Sequence, residues 1–322
     1  MTEKVQLNAT VSDDLIGKRL DQAVAELFPD YSRSRLQGWI KDGQLTVDGE
    51  VKRPRDKLLG GELLVIAAEL DVIDQYKAVE MPLNIIFEDD DIIIINKPAG
   101  LVVHPAAGHW EDTLLNGLLH YYPAIAQVPR AGIVHRLDMD TTGLMVVAKT
   151  IQAQTELVSQ LQDRSMGREY EAVVGGVMTG GGTVEEPLGR HSRNRQKMAV
   201  VGMGKEAITH YRVLKRFRAH THIRLKLETG RTHQIRVHMS YINYPLVGDQ
   251  LYGGRFRLPK GVSPQLLEKL KGFNRQALHA KRLELFHPVS GELMAWEVDL
   301  PDDLQSLLNS LKRDAAQQES EE

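Results

Sequence analysis

The chain of 322 residues carries 40 Lys and Arg against 43 Asp and Glu, for a formal charge of −3, and is 42% hydrophobic. That is the composition of a globular protein with room for one large domain and a smaller one. It has no cysteine, which excludes disulfides, thiolate catalysis and cysteine-ligated zinc or iron–sulfur centres.

No apolar run approaches a bilayer span, and the opening MTEKVQLNATVSDD lacks the apolar core of a secretory signal, so no membrane association and a cytoplasmic location are expected. Residues 1–17 read as an N-terminal extension that can pair as a short strand. From Lys18 to Ile40 the spacing is helical. Leu20, Ala23, Val24 and Leu27 form one apolar face, and Leu36, Trp39 and Ile40 form a second beyond a break at Pro29 and Asp30, where Ser32 can cap. QLTVDGE, a Gly60-Gly61 turn and ELLVIAA then predict strand, turn and strand, closing a small module over 18–75. A charged, aperiodic linker is placed at 76–82.

The large domain, 83–312, opens with the buried strand IIIIN before Lys97-Pro98-Ala99-Gly100. A helix through TLLNGLLHYY, capped by Asp112 or Thr113, comes next. LMVVAK reads as a strand, Ala153 to Arg164 as a helix, and REYEAVVGGV, AITHYRVLKRF, THIRLKLE and LMAWEVDL as further strands. Regular strand–helix alternation is missing, so the expectation is an α+β (mixed α/β) fold around an extended, largely antiparallel sheet, not a doubly wound one. Residues 313–322 are polar and are expected to fray as a tail.

The low net charge conceals an uneven distribution. Acid collects near residues 69–74 and at the C-terminus. Base collects in Arg33/Arg35, Lys52/Arg53/Arg55/Lys57, Arg190/Arg193/Arg195/Lys197 and Arg255/Arg257/Lys260. A phosphate backbone responds to local field, so these clusters are candidate RNA contacts.

Two stretches can hold chemistry. In GIVHRLDMDTTG, Asp138 sits among His135, Arg136 and Asp140, ahead of an apolar strand. There it can serve as nucleophile or base with Arg136 on phosphate, or it can be a structural Asp–Arg pair. In TGRTHQIRVH, a helix beginning after Thr232 would bring Arg236 inward toward a carboxylate and leave Arg231 and His233 near its start for phosphate. His233 and His238 are five apart with no HExxH, so no metal site is expected. Tyr170 alternates with Ala172 and Val174 on a strand and can be a core residue or a base-stacking one. GGVMTGGG is not a P-loop, and neither a dinucleotide fingerprint nor a GxSxG elbow occurs, so no nucleotide cofactor is expected.

HRLDMDTTG (135–143) resembles the signature of the pseudouridine synthases of the large-subunit rRNA class, the RluA family. IIINKPAGLVVHP, GREYEAVV, TGRTHQIRVHM, YPLVGDQLYGG and QALHAKRLELFHP follow in family order across most of residues 80–300. Residues 19–49 resemble an S4 RNA-binding domain. The signature usually has serine where this chain has Thr142, another small hydroxyl residue for which little chemical effect is expected.

The resemblance implies isomerisation of uridine to pseudouridine without a cofactor, in the helix-69 stem-loop of 23S rRNA. The implied partner is the large ribosomal subunit or its assembly intermediate, met by a monomer. It implies that Asp138 is the catalytic carboxylate, Arg236 its ion-pair partner, and Tyr170 the aromatic that stacks on the target base. Arg136 would enter the RNA stack in place of the flipped uridine. Arg33, Arg35, Lys52, Arg53, Arg193, Arg195 and Lys197, with His135, Arg231 and His233, would hold the RNA. Another rRNA or tRNA site, or a non-catalytic RNA-binding or ribosome-assembly protein, is the alternative.

Overall fold

The computed structural model describes residues 2–28, 31, 33–71, 76–106, 108–194, 196–254, 258 and 261–319. They form two compact units, Met1–Gln75 and Tyr76–Glu322.

The first unit contains β1 (Thr2–Thr10), α1 (Leu20–Leu27), α2 (Arg33–Lys41), β2 (Leu45–Val47) and β3 (Leu63–Asp71). Its sheet has the order β1-β3-β2, antiparallel throughout. Residues 2–10, expected as part of an extension outside the module, pair with β3 along their whole length, from Thr2↔Asp71 to Thr10↔Leu63. Alternation explains this. Val5 is buried and Leu7 and Ala9 are partly buried against the same core, so the strand has an apolar face to cover. The helical spacing holds, since Leu20, Ala23, Val24, Leu36, Trp39 and Ile40 share that core. Asp21 ties the two helices together: Arg19 donates to it from Nε and Nη2 at 3.0 and 2.7 Å, and Gln37 at 3.1 Å.

The second unit is built on a nine-stranded sheet. Its elements are β4 (Ile85–Glu88), β5 (Ile92–Lys97), α3 (Leu114–Tyr121), β6 (Thr142–Ala148), α4 (Ile151–Gln162), β7 (Gly167–Gly175) and β8 (Gly182–Glu185). They continue with β9 (Leu188–Arg190), β10 (Met198–Val200), β11 (Ile208–Arg216), β12 (His220–Leu227) and α5 (Gln234–Tyr241). Last come α6 (Pro264–Gly272), β13 (Leu278–Phe286), β14 (Leu293–Glu297) and α7 (Asp302–Glu319). The order is β4-β5-β6-β13-β7-β12-β11-β8, with β14 on β13 and β9–β10 a separate ribbon. Every pairing is antiparallel except β13 with β6, where His279↔Thr142 and Ala280↔Gly143 run parallel.

The central strands are buried on both faces, which is why they read as continuous apolar runs. Ile93 and Ile95 face α3, in a core with Leu114, Leu115 and Leu118, while Ile92 and Ile94 join Ala153 and Leu157 of α4. Val173 of β7 meets Leu266 and Leu270 of α6 and Leu304, Leu307 and Leu308 of α7.

Residues 313–319, expected to fray, continue α7. Asp314 is buried, accepting from Arg218 Nη1 at 3.0 Å and from the Ser263 N–H at 2.8 Å, so an acid in an otherwise polar stretch is what anchors it. Residues 77–79, in the expected linker, are held to α3: Asn116 donates to the Lys77 carbonyl, and Val79 N–H to that of Asn116. Among the described residues no helix is long and apolar enough to cross a membrane. The Pro29–Asp30 break, the Ser32 cap and the Arg255/Arg257/Lys260 cluster lie outside the described residues.

Candidate active site

The loop that carries Asp138 leads into β6, where the strand lies close against β13. Gly143 has φ +112, and a Cβ on it would stand 2.2 Å from the Ala280 carbonyl oxygen, so only glycine lets β6 lie against β13 here. Upstream, the His135 ring accepts the Val146 N–H at Nε2, at 3.1 Å. Burial, with Arg168 adding repulsion, pushes that imidazole down to about 3. Its Nε2 is thereby spent on the adjoining strand, and the ring pins the loop.

Downstream the loop is held residue by residue. The Thr141 N–H closes a turn on the Asp138 carbonyl at 3.0 Å. Arg275 Nη1 donates to the Asp140 carbonyl at 3.2 Å, and Gln276 Nε2 to Thr141 Oγ1 at 3.0 Å. The Thr142 hydroxyl lies 2.8 Å from His279 Nδ1. From beneath, the fully buried Lys97 ammonium donates to the carbonyls of Pro98, Leu101 and Met139 at 2.7, 2.8 and 2.7 Å. Burial pushes this amine down to about 7, against the pull of Asp140 and Asp138. Three carbonyl acceptors match the three protons of the charged form.

Held this way, Asp138 is half-buried and meets Arg236. Arg236 Nη1 donates to Asp138 Oδ2 at 2.9 Å, while His233 Nε2 is 3.9 Å from Oδ1. Arg236 comes from the first turn of α5, where helical spacing turns it inward. Its other edge is clamped by Asp249, which accepts from Nε at 2.7 Å and Nη2 at 2.9 Å. Asp249 is also fixed, taking the Leu251 and Tyr252 N–H groups at 2.9 and 3.0 Å.

Burial acts to raise the Asp249 carboxyl, but the bonds and charge of Arg236 and those two N–H groups prevail and hold it below the carboxylate range. Burial likewise opposes the Arg236 cation, and Asp249 and Asp138 together drive it above its ordinary value. The result is a carboxylate presented to the surface with a permanently charged, doubly anchored partner.

Tyr252 extends the group. Arg236 lies over its ring, 5.1 Å from the centroid, and its hydroxyl is 2.8 Å from His233 Nδ1. Lys197 Nζ lies 5.8 Å from the same ring. Tyr170 on β7 is 6% exposed, and its phenol forms no hydrogen bond to any described residue. Burial raises that phenol, the Arg168 charge works to lower it, and the Asp138 charge adds to the rise.

The expected site residues thus fall into three groups. Asp138, Arg236 and His233 come together, with Lys197 at the edge through Tyr252, and Tyr170 is buried on β7 in the same core as Leu137. Arg136 is exposed on the Asp138 loop and pairs with no described residue. Arg231 is exposed, spending its Nε on the Glu206 carbonyl at 2.9 Å, and Arg193 is exposed between β9 and β10. Lys52 and Arg53 belong to the first unit, paired with Glu50 and Asp56 on its surface. Arg33 and Arg35 are on α2 with their side chains outside the described residues, as is Arg195 altogether.

Sequence reading missed Asp249, Tyr252, Lys97, Arg275 and Gln276. Four of them lie in segments that matched family motifs, and Arg275 immediately precedes one. What was unreadable was which distant side chain each would meet.

Comparison with known proteins identifies the family. Residues 91–241 match the family described as RNA pseudouridylate synthase, and residues 18–64 match the S4 domain. Ribosomal large subunit pseudouridine synthase D of Yersinia pestis is 61% identical over 315 residues, covering 98% of this chain and 97% of that protein. The protein of that name from Pseudomonas aeruginosa is 62% identical over 314 residues, with 98% of each covered. The one from Escherichia coli K12 is 57% identical over 322 residues, covering 100% and 99%. Among solved structures, Human RNA Pseudouridylate Synthase Domain Containing 4 aligns with a TM-score of 0.54 at 26% identity, covering 71% of this chain and 93% of that one. A catalytic domain shared across these proteins, preceded by an S4 domain and matched along the whole chain, makes this chain a member of the pseudouridine synthase family.

Proposed function

We propose that the protein isomerises uridine to pseudouridine in 23S rRNA, with Asp138 as the catalytic carboxylate and the helix-69 stem-loop as its target. The observation that carries this reading is the Arg236 clamp: one guanidinium bridges Asp138 at 2.9 Å and the buried Asp249. A carboxylate that attacks C1′, adds to the pyrimidine ring or takes a ribose proton must be aimed, and a doubly held arginine fixes its direction.

The reaction breaks N1–C1′ and joins C5 to C1′. The C5 proton leaves and N1 gains one, so nothing is oxidised and no donor is consumed. Tyr170, beside Asp138, stacks on the target base. Arg136, exposed and unpaired, fills the space that the extruded uridine leaves. His233, Arg231, Arg193, Arg195 and Lys197 hold the backbone near the flipped nucleotide. Arg33, Arg35, Lys52 and Arg53 of the S4 unit add affinity through linkage, since surface pairs such as Lys52–Glu50 are weak enough to give way to phosphate. The protein acts as a monomer. The partner is the large subunit or its assembly intermediate, in the cytoplasm.

Mapping pseudouridine in 23S rRNA after incubating synthase-free subunits with wild type and with Asp138→Ala tests the assignment. New pseudouridine in helix 69 from wild type alone is expected. New sites elsewhere would keep the reaction and reject the target. Silence on every structured RNA, with folded protein, would favour a binding role.

A further inference from the structure

Arg168 is an arginine without a carboxylate. It is 6% exposed, yet its guanidinium makes a single hydrogen bond to the described residues, from Nη2 to the Glu228 carbonyl at 3.2 Å, and its Nε is enclosed with no acceptor. Gly230 admits it beneath the turn before α5: a Cβ there would stand 2.6 Å from Arg168 Nη1. A buried guanidinium so poorly compensated disfavours the fold, which directs attention to what its charge does.

Its position supplies the answer. Arg168 and Tyr170 are two apart on β7, so both side chains leave the same face of the sheet. On that face Tyr170, Ala172 and Val174 join Leu137, the residue before Asp138, in one core. The charges that act on the phenol are Arg168, two residues away on the same strand face, and Asp138, which follows Leu137 of the shared core. Those around Arg168 are Tyr170, Arg231 from the turn before α5, and His135 from the Asp138 loop.

We propose that Arg168 is a positioning residue of the isomerisation: its buried guanidinium is the counter-charge for the Tyr170 oxygen as that oxygen takes the C5 proton. This rests on the reading of Asp138 and Tyr170 above. Before the step the Tyr170 phenol gives its proton to solvent; the C5–H bond then breaks, its electron pair returns to the ring, and the C5 proton passes to the phenolate oxygen. N1, already free of the ribose, takes a proton from solvent, so one proton leaves C5 and one is gained at N1. A phenolate in this enclosed place, next to the Asp138 carboxylate, needs a cation that neither moves nor titrates, and arginine meets both requirements.

The test is made on the full chain with 3-fluorotyrosine incorporated, which brings the phenols into a pH range the fold withstands. The fluorine resonance that disappears in Tyr170→Phe identifies Tyr170 among the nine tyrosines. Arg168→Met is expected to raise the Tyr170 ionisation midpoint by about one pH unit or more, while Arg168→Lys holds it within a few tenths. With unmodified protein, Arg168→Met should slow single-turnover conversion of rRNA about tenfold at neutral pH and move the rising limb of the pH–rate profile to higher pH. RNA affinity should stay within about twofold, and the change should cost nothing further in a Tyr170→Phe background.

An unmoved Tyr170 midpoint in folded Arg168→Met overturns the proposal. So does an equal loss of rate without the phenol, which means a scaffold role, or a loss of affinity with the rate intact, which means a phosphate contact. If Arg168→Met does not fold, Arg168→Gln takes its place under the same criteria. Failure of the wild type to make pseudouridine sinks the broader function instead, and the Tyr170 titration still reads the effect of Arg168.

Discussion

Asp249 and Arg236 show how a residue acquires a role that its own neighbourhood in the chain does not reveal. Asp249 sits in the YPLVGDQLYGG segment, 111 positions after the carboxylate it serves, as their numbers record. Its two oxygens take Nε and Nη2 of Arg236, leaving only Nη1 to face Asp138. Replacing Asp249 with Asn removes the charge that opposes burial of Arg236 and frees the guanidinium to rotate. Asp249→Asn is expected to lower kcat by roughly ten- to a hundredfold, about 1–3 kcal/mol of transition-state stabilisation, with KM for rRNA little changed. Steady-state kinetics would contradict this if KM rose while kcat held. Asp138, Tyr170 and Arg236 were legible in the sequence because each stands in a motif with a recognisable family parallel. Asp249 and Lys97 stood in such motifs too, but a buried ion pair or a lysine under three carbonyls is defined by partners the linear order does not name.

At the scale of elements, β7 divides its labour by face. Tyr170 and Arg168 leave one face of the sheet, and Glu171 turns to the other side, where His222 Nε2 and Arg224 Nη2 lie 2.9 and 2.8 Å from its carboxylate. Burial acts to raise Glu171, but those two partners overcome it and hold the carboxyl down at about 2. A carboxyl depressed in the folded state gives stability that is whole above its unfolded value, near pH 4.5, and lost as pH falls toward 2. Glu171→Gln is therefore expected to unfold more easily than wild type at pH 7, by on the order of 1–3 kcal/mol, with the gap closing below pH 4.5. Denaturant titrations at pH 7 and pH 3 check this, and a gap of constant size would exclude it. Strand identity on β7 was plain from alternation, and so were the apolar runs of β5 and β6. The parallel contact of β6 with β13 was not, because two distant segments meet there through Gly143 and Ala280. The end of α7 was misread for the same reason: Asp314 looks like tail until Arg218 and Ser263 are seen to hold it.

Across the whole molecule, a net charge of −3 and an affinity for RNA are compatible because charge is apportioned by site. Acidic groups near the centre are used up in specific pairs, Asp138 and Asp249 on Arg236 and Glu171 on Arg224. Arg136 and Arg193 stay exposed, and Lys197 lies along Tyr252 at the edge of the same group. The S4 unit folds around its own core and the catalytic unit around several, so binding and chemistry are separately built. Their combination was legible from motif order. Where each unit begins was not, since β1 declares itself only by pairing with β3.

The central claim is that Asp138 carries out the isomerisation, and release of tritium from rRNA labelled at uridine C5 measures it most directly. Large subunits lacking the modification would be incubated with wild-type protein and with Asp138→Asn, whose fold is verified by circular dichroism and whose RNA affinity is measured alongside. The account predicts stoichiometric tritium release by wild type and none above background by Asp138→Asn. Release by Asp138→Asn at the wild-type rate would contradict it.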